Sequence, residues 1–147
     1  DTKAAYLAGL FHDIGKLLLD GDLFTERQIS DAEYKKIQEH PFLAYNALSH
    51  LMPFTALCCG FHHFMAEGGG YGLKGKDLPA NLSPRTIKKV LEIAEIVSIC
   101  DFVDAYLTRK TGLKGKMETD TDLNSMLLSR FPESDEVIEA VLSVIVK

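Results

Sequence analysis

SPRTIKKVLEIAEIVSICDFVDAYLTRK, residues 83–110, is the longest helical pattern in the chain, and its reading decides the fold. Ser83 followed by Pro84 is a helix start. The hydroxyl accepts from an orphan amide of the first turn, and the proline ring presets φ where no amide partner is needed. Beyond it Val90, Ala94, Val97, Asp101 and Asp104 recur at alternating four- and three-residue steps, which is one stripe of a helix. The stripe begins apolar and ends in two carboxylates. An aspartate facing a core is costly unless it is paired or holds a metal. One of the two could simply cap a neighbouring helix; both on one stripe point to a metal or a polar network.

Outward from this helix the pattern stays helical. Asp1 or Thr2 caps a first helix whose apolar residues run from Ala4 through Phe11 and Ile14 to a break at Gly15. Ser30 with Glu33 is a capping box opening a helix toward His40. Pro41 and Pro53 suit the first turns of helices over 42–51 and 54–64. Two more fit 122–130 and 135–146, the last capped by Ser134. No run of alternating apolar residues asks for a sheet. The expected fold is all-α, a bundle of about six or seven helices. The irregular stretch 66–82 carries Gly68, Gly69, Gly70, Gly72 and Gly75, and a loop of that length in a domain is usually functional or mobile.

Composition bounds the function. A chain of 147 residues can bury one real core, and 46% hydrophobic with 25% charged residues excludes a disordered segment. The longest apolar runs, 4–11 and 54–61, are too short to cross a bilayer, and no signal-peptide pattern opens the chain. Sixteen basic against 21 acidic residues give a net charge of −5, which argues against a long nucleic acid. Small anions stay open, because a bound metal inverts the local field. Cys58, Cys59 and Cys100 form neither a CxxC pair nor a disulfide framework. They read as small buried apolar residues of a protein in a reducing, cytoplasmic compartment. The chain opens on Asp1 rather than methionine, which reads as a segment of a longer protein.

Histidine placement narrows the chemistry. His12-Asp13 follows a wholly apolar stretch; the bland reading is a satisfied cap at a helix end. His40, His62 and His63 also lie near expected helix ends, whereas His50 stands without company. Imidazoles with carboxylates suit iron, manganese, zinc or nickel, while magnesium prefers an all-oxygen shell. Neighbouring helical residues point about 100° apart, so His62 and His63 reach two ions, or one ion and its ligand. Asp13, with two oxygens, could bridge two ions.

These residues sit in motifs. His12-Asp13-Ile14-Gly15-Lys16 matches HDxGK, and His40-Pro41-Phe42-Leu43-Ala44, with Leu48 beyond, is similar to HPxxGxxIL. His62-His63 opens a stretch similar to HHExxDGSGYP, then Leu73-Lys74-Gly75-Lys76-Asp77-Leu78-Pro79 is similar to GLKGEDIP. Cys100-Asp101-Phe102-Val103-Asp104-Ala105, with Thr108 beyond, is similar to ADxxDAxT. In this order, over about residues 8–108, the chain resembles the HD superfamily of metal-dependent phosphohydrolases, and within it the HD-GYP branch. The resemblance implies an HD-type helical bundle that hydrolyses cyclic di-GMP or a related nucleotide. It implies divalent transition metal, two ions, held by His12, Asp13, His40, His62, His63 and Asp101, with a metal-activated water attacking the phosphodiester. Asp13 and Lys16 then stand in the catalytic machinery, Lys16 touching phosphate. Lys74 and Lys76 lie close enough in sequence to meet substrate. Tyr71 either stacks on a nucleobase or packs the loop.

The departures are equally definite. Phe64 stands where the motif has Glu, Glu67 where Asp is usual, and Gly72 where GYP has proline; two residues are missing before Leu73. The glycine-rich loop is therefore altered, which bears on substrate preference and on docking of a partner signalling domain. A catalytically degenerate binding module, or a phosphohydrolase of another nucleotide or phosphoester, is the competing expectation. The family's first ligand histidine comes from the preceding helix, and no histidine occurs among the eleven residues before His12. The expectation is one HD-type domain over 1–147 whose first ligand helix lies outside it. Arg109, Lys110, Lys114 and Lys116 form a basic cluster that reads either as a solvated loop or as a surface for an anionic ligand or acidic partner.

Overall fold

Helix starts fall where the capping chemistry puts them. A computed structural model of the chain describes residues 1–25, 28–64, 70–108 and 122–145. Among these residues there are seven α-helices and no strand: α1 Thr2–Phe11, α2 Asp31–Ile37, α3 His40–Leu48, α4 Pro53–Phe61, α5 Pro84–Thr108, α6 Leu123–Arg130 and α7 Asp135–Ile145. The Asp1 carboxylate accepts from the Ala4 amide, Ser30 and Glu33 close a full capping box, and the Ser83 hydroxyl accepts from the Thr86 amide (3.1 Å). Pro41 and Pro53 stand in the first turns of α3 and α4. The all-α expectation holds. No helix among the described residues is long and apolar enough to cross a membrane.

Several expected boundaries move. The first helix stops at Phe11, and Ile14–Leu18 forms a separate 3-10 turn that packs on α3. Gly15 is thus no mere break. A Cβ there would sit 2.0 Å from the His40 carbonyl oxygen and 2.7 Å from the Ala44 amide, so only glycine lets the turn lie against α3. Helix α4 ends at Phe61, leaving His62 and His63 just past its last turn. Ser134 precedes α7, but its hydroxyl donates to the Glu95 carboxylate of α5 instead of capping α7. The basic cluster from Arg109 to Lys116 lies outside the described residues.

Three apolar clusters hold the helices. Ala8, Leu57, Phe61, Leu73, Val90, Ala94 and Val97 join α1, α4 and α5. Ala44, Leu48, Ala56 and Cys59 join α3 to α4, with Phe11 and Ile14 against them. Ile99, Val103, Leu127, Phe131 and Ile138 join the later turns of α5 to α6 and α7. Cys58 and Cys59 are fully buried as expected, and burial pushes both thiols up to about 12. Cys100 is exposed, contrary to expectation. Asp104 is exposed too, with Val103 buried in its place. The reason is geometric. A strict seven-residue repeat drifts about 20° per heptad on a straight helix, so two heptads after Val90 the stripe has rotated off the core. Of the two carboxylates, only Asp101 stays partly buried.

Candidate metal centre

The C-terminal ends of α1, α2 and α4 are followed by imidazoles that meet in one place. The last carbonyls of an α-helix have no partner within it. His12 Nδ1 donates to the Gly9 carbonyl in the last turn of α1 (2.7 Å). His40 Nδ1 donates to Ile37 at the end of α2 (2.8 Å), and His62 Nδ1 to Cys59 near the end of α4 (2.5 Å). Carbonyl oxygen can only accept, so each Nδ1 carries the proton. Each neutral ring then has its lone pair on Nε2.

Those Nε2 atoms converge. His40 Nε2 and His62 Nε2 lie 3.4 Å apart, both rings fully buried. Asp13 Oδ1 lies 3.1 Å from His40 Nε2, and Asp13 Oδ2 lies 3.5 Å from His12 Nε2. Asp101 Oδ1 is 3.6 Å from His12 Nε2, and its Oδ2 is 3.9 Å from His63 Nε2. Ligand atoms of His40, His62 and His63 fall within 4.8 Å of one another, as do those of His12, His62 and Asp101. Asp13 Oδ1 is buried without a hydrogen-bond partner among the described residues, although His40 is near. The Ile37 bond explains this: Nε2 faces Oδ1 with a lone pair. A proton on Nε2 or a cation between the atoms satisfies the pair, and the donor set fits a cation well. The C-termini of α1 and α4 add the negative ends of two helix dipoles.

Protonation states follow from burial and neighbours. Burial drives His62 well below the ordinary imidazole value, helped by His63. Burial likewise brings His63 down to about 4, against the pull of Asp101. Both rings are neutral at neutral pH. Burial also opposes charge on His12, but Asp101, the Gly9 carbonyl and Asp13 outweigh it and raise the pKa. For Asp13 burial is overcome when His40 Nε2 carries a proton, and by the Lys16 ammonium, so the carboxyl is held far below the usual range. Asp101 is lowered in the same way by His12 and His63 despite burial.

All six expected ligands are thus gathered. Lys16 joins them through its ammonium, 2.5 Å from Asp13 Oδ2. Tyr71 stacks on His63, ring centroids 4.3 Å apart at 30°. Lys74 is exposed, and its backbone amide donates to the Asp77 carboxylate (2.8 Å). His50 is exposed and apart, as expected. Phe64, where the motif has Glu, packs edge-on against Phe61 (5.7 Å). The carbonyls of Gly9, Ile37 and Cys59 escaped the sequence reading. Their signal was there, three residues before each histidine at a helix end.

An all-helical domain with an imidazole–carboxylate cluster at converging helix ends is therefore the class that fold and site define. The chain is 31% identical over 131 residues to the 3'3'-cGAMP-specific phosphodiesterase 1 of Vibrio cholerae, covering 84% of this chain and 27% of that protein. It is 28% identical over 118 residues to a cyclic di-GMP phosphodiesterase of Pseudomonas aeruginosa, covering 78% of this chain and 26% of that protein. The chain thus spans about a quarter of the length of these curated relatives. No protein-family profile matches it, and no solved structure matches it.

Proposed function

We propose that this chain is the catalytic domain of a metal-dependent phosphodiesterase of the HD-GYP kind, acting on a cyclic dinucleotide. The observation that carries the reading is the convergence of carboxylate oxygens with Nε2 lone pairs, three of them on rings whose Nδ1 proton is committed to a backbone carbonyl. Two relatives named for cyclic dinucleotide hydrolysis support the substrate class.

His12, Asp13, His40, His62, His63 and Asp101 would hold two divalent transition-metal ions, iron, manganese, zinc or nickel by donor type. Asp13 faces His40 with one oxygen and His12 with the other, the arrangement a bridging carboxylate needs. When bound, the ions supply Lewis acidity and make water nucleophilic at neutral pH. Lys16 fixes the Asp13 carboxylate with one N–H and keeps two donors for a phosphoryl oxygen. Tyr71 stacks on His63 at the edge of the cluster, where an aromatic ring can also stack on a nucleobase.

The test is metal content and hydrolysis of cyclic di-GMP and 3'3'-cGAMP by the intact protein. His12→Ala and Asp101→Ala should each abolish turnover while circular dichroism keeps the helical signal. Full activity in both variants would sink the assignment. Phe64, which puts an apolar ring where the motif has a carboxylate, favours a second reading: a domain that binds the nucleotide without turning it over. Tight binding with no product by the metal-loaded wild type selects that reading.

A further inference from the structure

Three of the four clustered histidines are oriented by a hydrogen bond from Nδ1 to a helix-end carbonyl. His63 is the exception. Neither of its ring nitrogens has such a bond among the described residues. What faces the ring instead is Tyr71, stacked at 4.3 Å and 30°, with His40 edge-on at 5.2 Å and His62 at 4.0 Å. His40 and His62 are themselves members of the cluster, so among the described residues the ring contact from outside it is Tyr71.

The Tyr71 ring is delivered by the loop that follows α4. The Leu73 amide donates to the Gly60 carbonyl (2.9 Å), and the Leu73 side chain is buried in the α1–α4–α5 core. Between them Gly72 takes φ +93°, and a Cβ there would fall 2.5 Å from the Gly60 oxygen. Proline, locked near −65°, cannot take that conformation, and any L side chain is strained in it. The seat of the loop on α4 therefore depends on glycine at this position, and the seat sets where the Tyr71 ring lies. The Tyr71 hydroxyl has no hydrogen-bond partner among the described residues, so the ring is the part that acts.

We infer that Tyr71 is a positioning residue: its ring orients His63 for metal, a task that backbone carbonyls perform for the other three histidines. Loading of the His63 position is then coupled to docking of the 70–73 loop on α4. Orienting partners of ligand imidazoles typically govern ten- to a hundredfold in metal affinity. Here that partner is an aromatic face on a loop rather than a group within the helices. The inference rests on the metal reading above.

The experiment titrates Zn(II) into the chelator-stripped full chain. Tyr71→Ala should weaken the weakest Zn(II) site about ten- to a hundredfold, and Tyr71→Phe should restore wild-type affinity. Gly72→Ala, which keeps the tyrosine but unseats it, should give the same loss as Tyr71→Ala and carries the test if the latter fails to fold. Histidine ring signals by NMR should show one imidazole, His63, with altered shifts in both weakened variants. Wild-type Zn(II) affinity in both alanine variants overturns the positioning role, as does an equal loss in Tyr71→Phe. A wild-type chain that takes up no Zn(II) defeats the metal reading itself, so the two failures are distinguishable.

Discussion

The two halves of α5 pack against different partners. Its first half sets Val90, Ile93, Ala94 and Val97 against α1 and α4, the two helices followed by His12 and by His62 and His63. Its second half sets Ile99 and Val103 against Leu127, Phe131 and Ile138 of the α6–α7 region, with no imidazole among them. Asp101 lies within the second half by position but turns to His12. The first region is expensive to build. It buries two rings whose lone pairs oppose each other, and that cost is recovered only when a proton or cation lies between them. The second region is ordinary apolar packing and needs nothing else. Stability and function should therefore be separable along one helix.

The sharpest attempt to break that separation is Phe131→Ala. Removing a fully buried aromatic ring should cost about 3–5 kcal/mol in urea unfolding, while Zn(II) stoichiometry of the folded fraction stays unchanged. A parallel loss of metal would show that the α6–α7 region supports the site after all. The next effect is linkage. Free Zn(II) at about a hundred times its dissociation constant should stabilise the wild type by about 2.7 kcal/mol, and His62→Ala should erase most of that gain. An undiminished gain in the variant would place the metal elsewhere. The smallest effect probes the join between the regions, where Ser134 donates to Glu95. Ser134→Ala should cost about 1 kcal/mol with no change in metal affinity. A larger loss that includes metal would mean the halves communicate through this bond.

Much of the fold was legible because local chemistry specified it. Ser30 with Glu33, Ser83 with Pro84, and prolines at 41 and 53 mark helix starts whose side chains reach their own first turns. These signals need no tertiary information. The six residues that cluster were legible through motif order, while their backbone partners were not. Asp104 is misplaced because a stripe extrapolated over two heptads ignores the drift of a 3.6-residue helix, and Cys100 because residue type alone does not say which side of α5 it occupies. Gly15 was read as a break because its role lies in another helix, the backbone of α3, to which sequence spacing is blind. The stack of Tyr71 on His63 was hidden for the same reason. It depends on where a loop docks, and only the left-handed Gly72 hints at that path.

The carbonyl bonds of His12, His40 and His62 have one further consequence. A ring tied at Nδ1 has already lost its rotational freedom when the chain folds, so an arriving ion does not have to impose that order. The same bonds finish three helices. Amide exchange in the last turns of α1, α2 and α4 should therefore slow when the ion is present. On the metal reading, the helix ends would double as gauges of occupancy.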